Sequence, residues 1–577
     1  MHTDLEMIGE EILQRFLTFQ TRRFITGSDR AVIDENAAST CPLGDIGSLR
    51  GAFEDDGRGV CPEQDLEDHR VDRTTKAPTA AVNPSGISYQ SVESGYFEQR
   101  RLQRHAGFFT LLILGVGAVV AGQYSGWNLG LAQGFGGMFL ALLIIAVMYL
   151  FLCSSIGEMA AALPHTGGAY SFARTTMGPW GGFSTGLAEN IEFILAPAGN
   201  MFFMGAYLTA IFGTGPEWQP VWWVVGYACM LLLSNRGLGV SMRAVVLITI
   251  AAVSVLVVFF IAAYPHMDFT GNALNLAADA AGKPVEVQGG NGPWLPFGLT
   301  GVMLALPFAV YMFLAIEQLP LTAEESHNPT RHLPLALVWG TVILAVLALG
   351  VLFFSASIGG GSFFMSTSSE PLLDGFREIF GHTASKLLSA VAVLGLAASF
   401  LAGSFAAGRN IYSLSRAGYL PTGLSVTHPT RNTPNIALAT GALAALGILM
   451  LCWFTFGKDN NALMGGILVS MIVFAGMISY ILQSVAYIRL KRSFADLHRP
   501  YRSPYGIFGA VAVIIIATAT LIYQFLDPLY KWAALAAACW YLIGIAYFAF
   551  YRRHRLVLSP EEAFAVSGGR EGNPQND

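Results

Sequence analysis

From Gly107 onward about twelve apolar segments follow one another, each near the twenty residues that a bilayer core requires. Their approximate spans are 107–131, 134–156, 180–211, 220–234, 244–264, 295–317, 334–357, 385–408, 434–456, 462–488, 507–527 and 531–551. In hydrocarbon every backbone donor and acceptor must be satisfied internally, so segments of this length predict an all-α membrane bundle of about twelve transmembrane helices. Composition agrees: 53% of residues are hydrophobic and 12% charged, which excludes an ordinary soluble protein. A net charge of −5 gives no case for nucleic-acid binding. Cys153, Cys229, Cys452 and Cys539 fall in apolar runs and read as small hydrophobes, while Cys41 and Cys61 suggest no disulfide framework.

Residues 1–104 differ in kind. They are rich in Asp, Glu, Ser, Gly and Pro, which predicts a largely disordered region. Within it, 5–24 has helical apolar spacing and ends in Arg22 and Arg23, the pattern of an amphipathic helix. No secretory signal is expected. The membrane domain then occupies 105–552, followed by a tail, 553–577. Arg174, Arg236, Arg243, Arg331, Arg416, Arg431 and the cluster Arg489 to Arg502 gather in alternate loops. The other loops hold only Lys283, Arg377, Lys386, Lys458 and Lys531. By the positive-inside rule both termini are expected in the cytoplasm, with the plasma membrane as the expected location.

The sixth span is anomalous. Pro307 sits mid-span, and Glu317 follows the run Phe308 to Ile316. A charge deep in hydrocarbon costs on the order of 3 kcal/mol even on forgiving scales, and proline removes a backbone donor. Both are tolerable where a helix is interrupted and its freed backbone lines a polar cavity. The first span repeats the anomaly at Ala121-Gly122-Gln123-Tyr124-Ser125-Gly126-Trp127-Asn128, polar, aromatic and glycine-rich. Interruptions at positions one and six predict a five-plus-five inverted repeat with a site at the midplane. The third span adds Glu189 and Glu192, three apart and so on similar helix faces, with no nearby Lys or Arg in sequence. Embedded carboxylates of this kind usually face the bundle interior and serve ions, protons or cationic substrates.

These residues resemble a family. Gly157-Glu158-Met159 with Pro164-His165-Thr166-Gly167-Gly168-Ala169-Tyr170, the end of the sixth span at Ala323-Glu324-Glu325, the run Arg409 to Leu420, and Arg499-Pro500-Tyr501-Arg502 are similar to the signatures of amino acid–polyamine–organocation (APC) permeases. A closer likeness is to the ethanolamine permeases, carried by Tyr124-Ser125-Gly126-Trp127-Asn128, Glu189-Asn190-Ile191-Glu192-Phe193, and Leu306-Pro307-Phe308-Ala309 with Phe313-Leu314-Ala315-Ile316-Glu317. The resemblance covers about residues 105–550. It implies a LeuT-like fold and a secondary transporter, with discontinuous helices one and six holding the substrate.

Carried over by residue, the resemblance puts the first break at Val120-Ala121-Gly122 and the second at Ala315. It places Tyr311 as an aromatic gate and Glu317 as a proton-linked carboxylate. The first break lacks one of the family's two glycines, while the site gains Glu192. A primary amine such as ethanolamine suits this change. Its ammonium is expected near Glu192 or Glu317, with help from Tyr124, Trp127, Phe308, Tyr311 and Phe313, and its hydroxyl near Gln123 or Ser125. Glu189 and Glu317 are the expected proton carriers, so the coupling ion is expected to be H+ and no cofactor or metal is called for. Glu324, Glu325 and Arg331 are expected to form a cytoplasmic gate. Ser254 falls where some relatives carry a lysine in place of a sodium ion. The rival readings are an amino acid or polyamine permease of the same fold, and a nutrient sensor that binds without transporting. No HExxH or Walker motif argues for an enzyme. Oligomeric state is not readable.

Overall fold

The computed structural model describes residues 87–90, 96, 106–163, 167–234, 238–278, 284–287, 290–428, 433–456, 461–495 and 497–567. The expected helix at 5–24 and His165 lie outside these residues. Among the described residues twelve spans run in sequence, the third and eighth each with a short leading helix. Ten helices among the described residues are long and apolar enough to cross a membrane. The interrupted first span, which begins with the helix Phe108–Val119, and the shorter Gln219–Ser234 complete the twelve.

The inverted repeat shows most clearly in the third and eighth spans. The third, Ala169–Phe212, contains one non-helical residue, Gly178, at φ 76 and ψ −175. The eighth, Pro371–Arg416, contains one at Gly381, at φ 70 and ψ −179. Both positions lie in the positive-φ region that favours glycine. Each sets off a short helix before the span. After two spans the leading helix of the third lies on the face where the chain enters the membrane. After seven spans, that of the eighth lies on the opposite face. The same motif, five spans apart and inverted, is the repeat.

Symmetry-related spans pack together: second with seventh, and third with eighth. Small residues permit close approach, as at Gly186, where a Cβ would come within 2.7 Å of Leu414. An even number of spans brings both ends to one face, the terminal face. There Tyr89–Gln90 pairs in parallel with Leu556–Val557.

Candidate functional site

The first span remains helical further than the resemblance implies. After Phe108–Val119 the chain makes another turn, Ala121–Tyr124. The ladder is opened at one rung, where the Ser399 hydroxyl donates to the Gly117 carbonyl (2.7 Å) and accepts from the Ala121 amide (2.8 Å). The helix is lost at Ser125, which is extended, and at Gly126, φ 89; it resumes as the tighter turns Trp127–Gln133. The unwinding therefore centres on Ser125-Gly126 rather than Val120-Ala121-Gly122, because a serine hydroxyl satisfies the backbone at the earlier point. Gly122 serves close approach: a Cβ there would lie 2.4 Å from the Tyr311 carbonyl oxygen.

In the sixth span Pro307 stays inside the helix Gly298–Tyr311, and the break follows it. Ala315 has φ 87, the one non-glycine residue at positive φ among the described residues. Its amide donates to both carboxylate oxygens of Glu317, at 3.0 and 3.1 Å, and the chain continues as Ile316–Glu325. Glu317 thus folds back over the break it follows and satisfies one of its freed donors. The Gln123 side-chain amide donates to the Met312 carbonyl at 2.8 Å, tying the two breaks together.

Glu317 lies within hydrogen-bonding reach of Glu192 from the third span. The Tyr480 hydroxyl of the tenth span reaches Glu192 Oε1 at 3.4 Å and sits 2.9 Å from the Tyr149 hydroxyl of the second. The Tyr149 ring stacks on Phe313 in the sixth-span break, with centroids 5.2 Å apart. Glu189 lies about one helical turn nearer the terminal face. Glu189, Glu192 and Glu317 are all buried, and none forms an ion pair among the described residues. One oxygen of Glu189 and one of Glu192, Oε2 in each, has no hydrogen-bond partner. At Gly476 a Cβ would stand 3.3 Å from the free oxygen of Glu192, so the glycine lets the tenth span approach that carboxyl closely.

The other expected residues distribute around this cluster. Tyr311 donates to Asn200 Oδ1 at 3.1 Å, and its ring faces Gly126 and Phe203. Asn200 is eight residues beyond Glu192 on one helix, about 12 Å along the axis, so Tyr311 stands above the carboxylates toward the opposite face. Trp127 is buried with its indole N–H unpartnered. Tyr124 points elsewhere: its hydroxyl donates to the Ala252 carbonyl of the fifth span at 2.7 Å. Phe308 packs edge-on against Tyr530 at 5.7 Å, also away from the carboxylates. Ser254 is exposed and bonds its own helix at Ile250; the fifth span turns Thr249 and Ala252 toward the first instead.

Closing contacts bracket the cluster. Toward the opposite face, Asn128 donates to the Met365 and Ser368 carbonyls at 2.6 and 2.8 Å, and Ser125 reaches that of Ser369 at 3.4 Å. Tyr207 donates to the Tyr124 carbonyl at 3.0 Å and accepts from the Leu372 amide at 3.2 Å. At the terminal face, Arg409 clasps Glu325 with two bonds of 2.9 and 2.8 Å, and Arg416 meets Glu324 at 3.2 Å. The cations are thus from the eighth span. Arg331, the expected partner, is exposed and forms no ion pair among the described residues. Glu158 accepts from Tyr487 and the Ser503 amide, each at 2.7 Å, and pairs with Lys491 at 2.9 Å.

Tyr149, Gly476, Tyr480 and Ser399 did not stand out in the sequence. Each is a common residue in an apolar span, and only the fold reveals what it faces.

A family model described as amino acid permease matches residues 107–549. An uncharacterized transporter of Rhizobium meliloti is 25% identical over 80% of this chain and 94% of its own. The branched-chain amino acid permease BcaP of Bacillus subtilis is 25% identical over 81% and 97%. The lysine-specific permease LysP of Lactococcus lactis is 25% identical over 68% and 77%. A solved mutant of the Eremococcus coleocola manganese transporter superposes with TM-score 0.47 and 15% identity, over 82% of this chain and 98% of that one.

Proposed function

The chain belongs to the amino acid permease family, a multi-pass transporter of amino acids or amines rather than an enzyme, and from that premise we propose that its cargo is a small primary amine, ethanolamine foremost. The Glu192–Glu317 contact carries this reading. Two carboxyls facing each other in a water-poor site repel when both are ionised, and relief comes from a proton or a cation between them. An ammonium supplies that charge, and the free oxygen of Glu192 is left to accept from it. Phe313 and Tyr149 offer ring faces nearby. An alcohol hydroxyl finds the free Gln123 Oε1 at the tie between the breaks.

The backbone also disfavours a carboxylate-bearing cargo. Amides freed at the two breaks already have acceptors in their own protein: Ala121 in Ser399, Gly126 in Asn128, and Ala315 in Glu317. An amino acid's carboxylate has to displace one of them, which favours an amine over the cargo for which BcaP and LysP are named.

The transport cycle is alternating access, with one bundle rocking around the carboxylates. A proton on Glu189 or Glu317 travels inward together with the ammonium held at Glu192, coupling uptake to H+. The arginine-rich terminal face is cytoplasmic, at the plasma membrane. Uptake by proteoliposomes of ethanolamine, alanine, lysine and putrescine, each with and without an imposed pH gradient, tests both parts. Saturable ethanolamine uptake driven by an inward proton gradient is expected. Preference for alanine or lysine moves the chain to the amino acid alternative.

A further inference from the structure

We propose that Tyr480 and Tyr149 form a hydroxyl relay that positions Glu192 and sets the pH range over which the site holds its amine; this rests on the amine reading above. The two hydroxyls are 2.9 Å apart, and either can be the donor. Each phenol has one proton to give. When Glu192 is ionised, Tyr480 donates to it and Tyr149 donates to Tyr480. When Glu192 carries the proton, it donates to Tyr480, and Tyr480 turns its own proton to Tyr149. The direction of the chain therefore follows the protonation of one carboxylate, and each bond polarises the next.

The placement gives this a consequence for transport. Tyr149 stacks on Phe313 inside the sixth-span break, so the relay joins the second, third, sixth and tenth spans at the carboxylates. The groups facing Glu192 are Glu317 from the sixth span, Glu189 from its own, and Tyr480 from the tenth; Tyr149 faces it through Tyr480. No Lys or Arg shares the site among the described residues. Tyr480 is the one side-chain hydroxyl that donates directly to Glu192 among the described residues, and so favours the ionised form that binds an ammonium.

Tyr480→Phe and Tyr149→Phe keep both rings and remove one hydroxyl each. Half-saturation for ethanolamine is measured in proteoliposomes from acid to alkaline pH, with the wild type and Glu192→Gln alongside. In Tyr480→Phe the acid limb is expected to move to higher pH, giving about three- to tenfold weaker affinity on the acid side and wild-type affinity on the alkaline side. Tyr149→Phe is expected to move it the same way by less. An equal loss at every pH, or an unmoved profile in both variants, overturns the relay and leaves the amine reading standing. A wild type without saturable ethanolamine uptake overturns both.

A separate set of contacts, independent of the cargo, points to a second device. We infer that the two chain ends latch the terminal face shut. Glu562, buried in the helix Pro560–Val566, accepts from Arg174 at 2.5 Å, Tyr89 and Tyr419 at 2.9 Å, and Tyr170 at 3.2 Å. Arg552 donates to the Gly418 and Leu420 carbonyls, and the Val557 amide to that of Ala417. The C-terminal segment is thereby fixed to the third span and to the end of the eighth. The N-terminal segment hangs on it through Tyr89 and the Tyr89–Leu556 pairing, and the first span follows in sequence. There Ala106 exchanges backbone bonds with Glu325 and His327, at 2.9 and 3.0 Å. Opening this face requires the first span to swing from the third and eighth, and the joined tails resist it.

Hydrogen exchange on reconstituted protein tests the latch, using Glu562→Gln and the milder Tyr89→Phe. Both are expected to raise exchange at Ala106 and His327 together with residues 552–566, by about tenfold or more in Glu562→Gln. A rise confined to 552–566, or none, overturns it.

Discussion

Glu192 and Glu317 meet as facing carboxyls although one comes from an unbroken helix and the other from just beyond a break. Their meeting needs the sixth span to unwind at Ala315. An uninterrupted helix has no free amide there for Glu317 to cap, and so nothing to fold its side chain back over the gap.

Ala315 sits in a conformation that costs an L-residue about 1–2 kcal/mol. Ala315→Gly removes that strain but adds about 0.5–1 kcal/mol of unfolded-chain entropy. The net expectation is a gain of up to about 1 kcal/mol, read as a higher melting temperature in detergent. A lower one means that the methyl group makes contacts worth more than the strain.

Gly122→Ala acts on the other side of the junction. Its new Cβ, 2.4 Å from the Tyr311 carbonyl oxygen, must push the first and sixth spans apart. A loss of about 1–3 kcal/mol is expected, together with weakened substrate binding as the Gln123–Met312 tie lengthens. Wild-type melting and uptake contradict the close approach.

The Arg409–Glu325 pair is buried on both sides. Arg409→Gln removes both charged bonds from a buried carboxylate and is expected to cost about 3–5 kcal/mol. Double replacement with Glu325→Gln is expected to recover much of that loss. Thermal unfolding of both variants checks it; an additive loss in the double variant removes the pair from the closing contacts.

The opposite face carries a pH dependence of its own. Glu370, half-buried in the connection between the seventh and eighth spans, is pushed up to about 7 by burial and then by the Asp374 carboxylate, against the pull of Arg377. A raised carboxyl favours the protonated docked form. Docking is therefore fully stabilised below the ordinary carboxylate range and weakens as pH rises through about 7. Hydrogen exchange at Leu372, whose amide donates to Tyr207, is expected to speed up from about pH 5 to pH 7 beyond its intrinsic rate. Glu370→Gln is expected to abolish that excess; the same excess in the variant excludes Glu370 as its source.

Much of this architecture was legible in the sequence, because the constraint was physical. A bilayer fixes helix length, so apolar run lengths marked the twelve spans, and the cost of a buried charge marked Glu189, Glu192 and Glu317. What escaped depends on which face a residue turns inward. Tyr124 and Phe308 are aromatic beside a break, yet one hangs on the fifth span and the other packs on Tyr530. Arg331 is the nearest cation in sequence to Glu324 and Glu325, but the eighth span brings Arg409 and Arg416 closer in space. Ser399 moved the first unwinding toward Ser125-Gly126, an effect of a residue far along the chain that local pattern does not carry.

Equilibrium binding of radiolabelled ethanolamine to purified wild type, Glu192→Gln and Glu317→Gln tests the central claim most directly. The account predicts saturable binding to the wild type, lost by more than about tenfold in Glu192→Gln and weakened in Glu317→Gln, as expected when a charged hydrogen bond is removed from a buried site. Wild-type affinity in Glu192→Gln would contradict it.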